Sequence, residues 1–389
     1  MIKKAGKETI KYINKQNILN FFRGHREARK SDIVEAIGLS AATVSSLTQE
    51  LLEEGYLREK CYAPSSGGRK PMIYTFYKNR SLLLAVNVSV KGLTFGLLNL
   101  NGEIVWQKNV TGRIRGEEAL CRGLSSVVRK LRHRQPEAER KIEGAVYSIP
   151  GILDSDEGRI LYSSALFVEN FAVGALTKRL FGRQVPVSLF RDTEALMLHE
   201  YYRLNRSEKN VLYLYCDSGV GMAVMNRGKL LRIEGNGLEI GHTVIDLHGE
   251  RCKCSSVGCV GTLLGEAAAL HRFQEIQGQK TAASYRELLF LEREGSQTAA
   301  QVLEEQRELL AVVSVNAVNL FNPELVIVGG PLVGKRTAFI RWAERVRRGV
   351  LKPFARQLDF AQAQPKENAA LFGMTKYVLD REVFKELSI

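Results

Sequence analysis

Two stretches of this 389-residue chain follow one plan, and that repetition limits the folds open to it more than any other feature. Residues 82–106 read as a strand, a tight turn, a strand, an Asn101-Gly102 hairpin signal and a third strand. Residues 211–231 repeat this through Val211, the turn Asp217-Ser-Gly-Val-Gly221 and Leu231. Helical periodicity follows each copy, at about 116–134 and 262–276. Two such units with their helices predict a two-lobed α/β fold with a cleft between the lobes. The first turn of such a unit can face a nucleotide phosphate when small residues let backbone N–H groups approach. Asp217-Ser-Gly-Val-Gly221 suits that role. Asn87-Val-Ser-Val-Lys-Gly92 does not, because Val90 is bulky and Asn87 carries no charge for magnesium.

The first eighty residues have a different character. Ile10, Ile13, Ile18, Phe21 and Phe22 mark one face of a helix over 8–23. Ser31 is a candidate N-cap for a short second helix with Ile33, Val34 and Ile37 inward and Gly38 ending it. Ser40 is placed to cap a third helix from Ala41 to about Glu54, stopped by Gly55, with Val44, Leu47 and Leu51 inward. Its outer face is then Ala41, Ala42, Thr43, Ser45, Ser46, Thr48 and Gln49. These are small and hydrogen-bonding, as a helix entering a major groove requires. Strands follow at Tyr56–Tyr62 and Met72–Phe76. The tip between them carries Gly67, Gly68, Arg69 and Lys70, suited to a minor groove or to phosphates. Three helices and a hairpin make a winged helix-turn-helix. The alternative is a small three-helix domain used for protein contacts.

Charge supports the DNA reading. The chain carries a formal +14, and residues 1–80 hold fifteen Lys and Arg against eight Asp and Glu. Half of the excess therefore lies on about a fifth of the chain. A composition of 45% hydrophobic and 25% charged residues is that of an ordinary globular protein. The N-terminus lacks the apolar core of a signal peptide, and no apolar run approaches the ~20 residues of a membrane helix. A cytoplasmic location without membrane insertion is the expectation.

Three of six cysteines fall within eight residues, and in a reducing compartment this points to metal rather than disulfides. His242, Cys252, Cys254 and Cys259 form a Cys3His set suited to structural zinc, with no position left open for catalysis. His248 competes for the fourth place, and unmetallated, partly buried cysteines are the alternative. His25, His133, His199 and His271 stand alone, in surface or core roles.

These motifs together resemble the ROK family (repressors, open reading frames, kinases), and within it the xylose- and N-acetylglucosamine-type transcriptional repressors. The resemblance runs nearly end to end. It rests on the winged helix, Ser148-Ile-Pro-Gly-Ile-Leu-Asp154, Arg191-Asp-Thr-Glu-Ala195, Asp217-Ser-Gly-Val-Gly221, Glu239-Ile-Gly-His242, the 252–259 knuckle and Asn322-Pro-Glu-Leu-Val-Ile-Val-Gly-Gly-Pro331. It implies a winged helix-turn-helix over 1–80, followed by a two-lobed, actin-like (ribonuclease-H-like) ROK domain. The lobes are expected at 81–193 and 194–389, with the C-terminal helix in the second or returning to the first.

The family's sugar kinases use an Asn-Asp pair, with the Asp as general base. A Glu and the zinc-binding His of Glu-x-Gly-His contact the same sugar. Carried over, Asp192, Glu239 and His242 are in place. Arg191 replaces the Asn, Gly261 stands where a Glu is usual, and Leu166-Phe-Val168 replaces Leu-Gly-Trp. The first phosphate loop lacks Asp-x-Gly-Gly-Thr. Phosphoryl transfer depends on magnesium and on donors aimed at the phosphates, so these losses argue against kinase activity. Arg191, Asp192, Glu239 and His242 are then expected to bind an effector, a sugar or an anionic sugar derivative drawn by Arg191. Structural hydrogen bonding is the alternative for Asp192 and Glu239. The expected function is a DNA-binding repressor of a carbohydrate operon, a homodimer or homotetramer on double-stranded operator DNA. The rivals are an active ATP-dependent sugar kinase and a regulator controlled by a protein partner.

Overall fold

Gly38 and Ser40 set the geometry at the head of the chain. Gly38 takes the left-handed conformation (φ 73°) that ends the helix Lys30–Ile37, and its N–H bonds back to Val34. Ser40 Oγ accepts the N–H of Thr43 at 3.2 Å and starts the helix Ala41–Glu53. With the helix Lys7–Gly24 these form a three-helix cluster closed by a small sheet of Glu27–Ala28, Met72–Phe76 and Leu57–Tyr62, in that spatial order. Ile18, Phe22, Ile33, Val44, Leu47 and Leu51 are buried at its centre. Two details differ from the sequence reading. Ser31 lies inside the second helix, whose N-cap is Arg29, and Asp32 Oδ2 accepts the Arg29 N–H at 2.8 Å. Ile10 is half exposed, while Leu19 takes a core place instead. A one-residue change in helix phase accounts for the second difference.

The computed structural model describes residues 7–62, 71–205, 210–233, 237–278, 282–364 and 366–384. They fall into two compact units: Met1–Pro150, Ser155–Leu189 and Met374–Ile389, and Gly151–Asp154 with Phe190–Gly373. In the first unit, the strand copy begun at Leu82 builds a five-stranded sheet. Its order is Val187–Arg191, Ile142–Ile149, Leu82–Ser89, Gly92–Asn99, Ile104–Thr111. The first hairpins are antiparallel, and Ile142–Ile149 returns parallel to Leu82–Ser89 after the helix Glu117–Arg134.

The head is tied to this unit by charged groups. Arg80 donates to the Glu54 carbonyl at 2.7 Å and pairs with Glu143 at 2.7 Å. The C-terminal segment also packs on the head. Asp380, nearly buried, receives Arg23 of the first helix at 2.8 Å, and the Arg23 guanidinium lies 4.1 Å from the ring centre of Phe384.

The second unit repeats the plan. Its sheet runs Lys229–Leu230, Val220–Asn226, Val211–Cys216, Leu325–Gly329, Asp359–Gln362, antiparallel at first and then parallel. The 25-residue helix Gln297–Phe321 is capped by Ser296 and ended by Asn322 in the left-handed region. It packs with the helix Arg336–Gly349, and buried Trp342 donates its indole N–H to Ser314 Oγ at 3.1 Å. No described helix is long and apolar enough to cross a membrane.

Candidate DNA-reading face, metal centre and effector residues

The helix Ala41–Glu53 presents Ala41, Ala42, Ser45, Ser46 and Gln49 to solvent. Thr43 is half-buried, its hydroxyl engaged with Ser40 at 2.8 Å. Thr48 corrects the sequence reading. It is fully buried and its hydroxyl has no hydrogen-bond partner, because it stands one residue after Leu47 on the inward edge of the helix. Gly67, Gly68, Arg69 and Lys70 lie outside the described residues. A cation missed in the sequence joins the face: Lys30 Nζ donates to Ser45 Oγ at 3.0 Å from the neighbouring helix. No local pattern marks it, since the contact spans fifteen residues. The cations behind the reading helix are used internally, with Lys11 on Glu50 at 2.7 Å and Lys15 shared by Glu50 and Glu54.

The metal-ligand set is gathered by a short 3-10 turn and a knuckle. The turn Ile240–His242 brings His242 forward, and bridges Val244 to Cys259 and Arg251 to Val257 fold the loop back on itself. Gly258 makes this return possible. Its φ is +69°, and a Cβ there would lie 1.5 Å from the Asp246 carbonyl oxygen. The ligand atoms of His242, Cys252, Cys254 and Cys259 all lie within 4.8 Å of one another. Cys252 Sγ is 3.6 Å from His242 Nδ1, and Cys254 Sγ is 3.6 Å from Cys259 Sγ.

Tetrahedral zinc, with Zn–S about 2.3 Å and Zn–N about 2.0 Å, sets neighbouring ligand atoms roughly 3.5–3.8 Å apart. The donor set fits such an ion, and His248 does not belong to it. The Ser256 backbone N–H holds the Cys254 thiol down at about 7, while burial pushes Cys259 up to about 11. The cluster can hold a metal ion, and with four donors it is coordinatively closed.

The expected effector residues sit close to this turn. Arg191 is 6% exposed and caps the helix Asp192–Leu204. Its Nη1 meets Glu239 at 3.3 Å, its Nε lies 3.5 Å from buried Glu194, and Nη2 donates to the Met222 carbonyl at 3.4 Å. Arg232 approaches the other Glu194 oxygen at 3.7 Å. Two guanidinium groups and two carboxylates therefore balance, so Arg191 is not the free cation that an anionic ligand would need. Glu239 leads directly into the metal turn, where the His242 N–H bonds to the Glu239 carbonyl at 2.9 Å. Asp192 is exposed, and its Oδ1 accepts the Thr193 N–H at 2.8 Å. The hairpin turn Asp217–Gly221 lies in the same unit, with the Asp217 N–H bonded to the Gly219 carbonyl.

The sequence profile of the ROK family matches residues 83–381, and that of the IclR helix-turn-helix domain matches 17–60. The xylose repressor of Caldicellulosiruptor bescii is 27% identical over 334 residues, covering 82% of this chain and 83% of that protein. The DNA-binding transcriptional dual regulator NagC of Escherichia coli K12 is 22% identical over 382 residues, covering 95% and 93%. Among solved structures, a ROK family transcriptional regulator homologous to the E. coli MLC protein superposes with a TM-score of 0.80 at 21% identity. It covers 97% of this chain and 98% of that one. A ROK hexokinase from Thermus thermophilus gives 0.63 at 23% identity, with nearly all of it (96%) matched by 75% of this chain. These structures share the fold of this chain.

Proposed function

Since the chain belongs to the ROK family, we propose that its helix-turn-helix head makes it a DNA-binding transcriptional regulator, a repressor of a carbohydrate-utilisation operon. The observation that carries this reading is the exposed face of Ala41–Glu53. It offers small and hydrogen-bonding groups with no acidic residue before Glu50, and Lys30 stands beside Ser45. Ala41, Ala42, Ser45, Ser46 and Gln49 enter the major groove; Arg69 and Lys70 hold the backbone or the minor groove. Two copies of the chain on a palindromic operator suit the symmetry of such readers. The repressor names of the relatives point the same way.

The ROK domain is the sensor in this reading. Arg191, Asp192, Glu239 and His242 form its effector site, and a structural zinc in the His242–Cys cluster fixes the turn that carries Glu239. The closed charge balance of Arg191 and Arg232 with Glu194 and Glu239 favours a neutral sugar over a phosphorylated or acidic one. Phosphoryl transfer is absent from this function. The first hairpin turn offers Val90 and Asn87 where magnesium and phosphate would need a carboxylate and small residues.

Fluorescence anisotropy with DNA from upstream of the gene and of its neighbours tests the regulator. Specific binding that survives excess competitor DNA and weakens with a neutral sugar is the expected result. Binding indifferent to sequence refutes it. ATP turnover above background across a sugar panel would establish a working kinase instead.

A further inference from the structure

The second unit holds a cavity of about 410 Å³ that none of the roles above uses. It lies against one face of the sheet, between the start of the helix Asp192–Leu204 and the start of the helix Ala369–Val378. The first of these helices follows the entry of the chain into the unit at Phe190, and the second precedes its exit at Met374. Tyr213 and Tyr215 alternate along one strand and so share a face. Their rings are 6.3 Å apart and only 9° from parallel, which makes a flat aromatic floor.

Gly329 keeps the space above the floor open. A Cβ there would stand 2.8 Å from the Tyr215 ring and 3.3 Å from the Tyr213 hydroxyl. Tyr213 is 2% exposed, yet its hydroxyl makes no hydrogen bond among the described residues, and neither does that of Tyr215. Buried hydroxyl groups are normally paired, so this pair is one that an occupant would satisfy. Burial raises the Tyr213 phenol well above its ordinary range, and it remains a neutral donor.

The rim adds one uncommitted charge. Lys366 has no carboxylate partner among the described residues and lies 5.2 Å from the centre of the Phe372 ring. Glu200, the acidic group of the lining, is already met by Arg203 at 2.6 Å and by the Gln364 N–H at 3.0 Å. Leu196, Val328, Val333 and Ala363 make the walls apolar. A sugar would bring more hydroxyl groups than these walls can pair. A flat apolar body with one anionic end matches the floor, the walls and the rim.

We infer that this cavity is a second ligand site, built for a small planar aromatic acid that lies on the tyrosine pair with its carboxylate toward Lys366. The inference does not depend on the DNA-binding reading, because it is tested on the free chain. Titration calorimetry of the full-length protein with 4-hydroxybenzoate and 4-hydroxycinnamate is expected to give saturable binding of one ligand per chain. The neutral 4-hydroxybenzamide should bind about tenfold more weakly, the difference one charge-assisted contact makes. Lys366→Gln, a surface change that leaves folding intact, should remove most of that preference. Leu196→Trp should fill the cavity and abolish binding of acid and amide alike. The inference is overturned if neither acid binds, if acid and amide bind equally, if Lys366→Gln changes nothing, or if adenosine or glucose binds there in preference.

Discussion

Thr48 and Ser45 are three residues apart on one helix, and their surroundings give them opposite duties. Ser45 is exposed and receives Lys30, whereas Thr48 is sealed in the head with a hydroxyl that bonds to nothing. An unpaired buried hydroxyl costs its desolvation, so Thr48→Val, which keeps the shape, should stabilise the head by about 1 kcal/mol. Urea unfolding measures that gain, and operator affinity should not change. A loss of operator binding would return Thr48 to the reading face. Cys254 has the opposite exposure and an equally local role. Cys254→Ser removes one of four donors whose ligand atoms lie within 4.8 Å of one another. Metal analysis should then fall from about one zinc per chain to near zero, with a lower melting temperature. An unmodified protein that carries no zinc when grown with it would show the cluster to be a set of plain thiols.

Elements were legible in the sequence wherever a cap or a turn residue spoke for them. Ser40, Gly38 and the Asn101-Gly102 signal fixed a helix start, a helix end and a hairpin. The second helix shows the limit. Ser31 has the right chemistry for an N-cap, but Asp32 reaches the Arg29 amide and the helix begins earlier. The Arg29 N–H holds the Asp32 carboxyl below its ordinary range. A depressed carboxyl stabilises the fold above that range and loses its effect as pH falls through the depressed value. Asp32→Asn should therefore cost about 0.5 kcal/mol at neutral pH, and urea titrations should show the gap to the parent closing in acid.

Long-range pairs were not legible at all. Arg23 and Asp380 are 357 residues apart, and only the folded chain shows that the C-terminal segment secures the head. Breaking a nearly buried pair strands a charge, so Asp380→Ala should destabilise the first unit by about 3 kcal/mol, read by thermal unfolding. The same holds for the candidate effector residues. Arg191, Asp192 and Glu239 could be picked out by motif, but the sequence carried no sign that Glu194 and Glu239 would already engage Arg191.

At the scale of the whole molecule, the question is how a reading face of five exposed residues can find one site in a genome. A single helix in one groove distinguishes only a few base pairs, and each mismatch costs about 1–3 kcal/mol. Half of the formal charge lies on residues 1–80, so much of the affinity is electrostatic and blind to sequence. Selectivity must then come from two heads bound at once, with the second held near its half-site at high effective concentration. That coupling depends on geometry. B-DNA turns once in about 10.5 base pairs, so five added base pairs put the second half-site on the opposite side of the duplex, and ten bring it back. An operator with five inserted base pairs should therefore bind only as tightly as an isolated half-site. Ten should recover most of the parent affinity, both measured by anisotropy at one fixed salt concentration. Equal affinity for all three spacings would mean that one head acts alone, and the selectivity would then have to lie in contacts that a single reading helix and its hairpin can make.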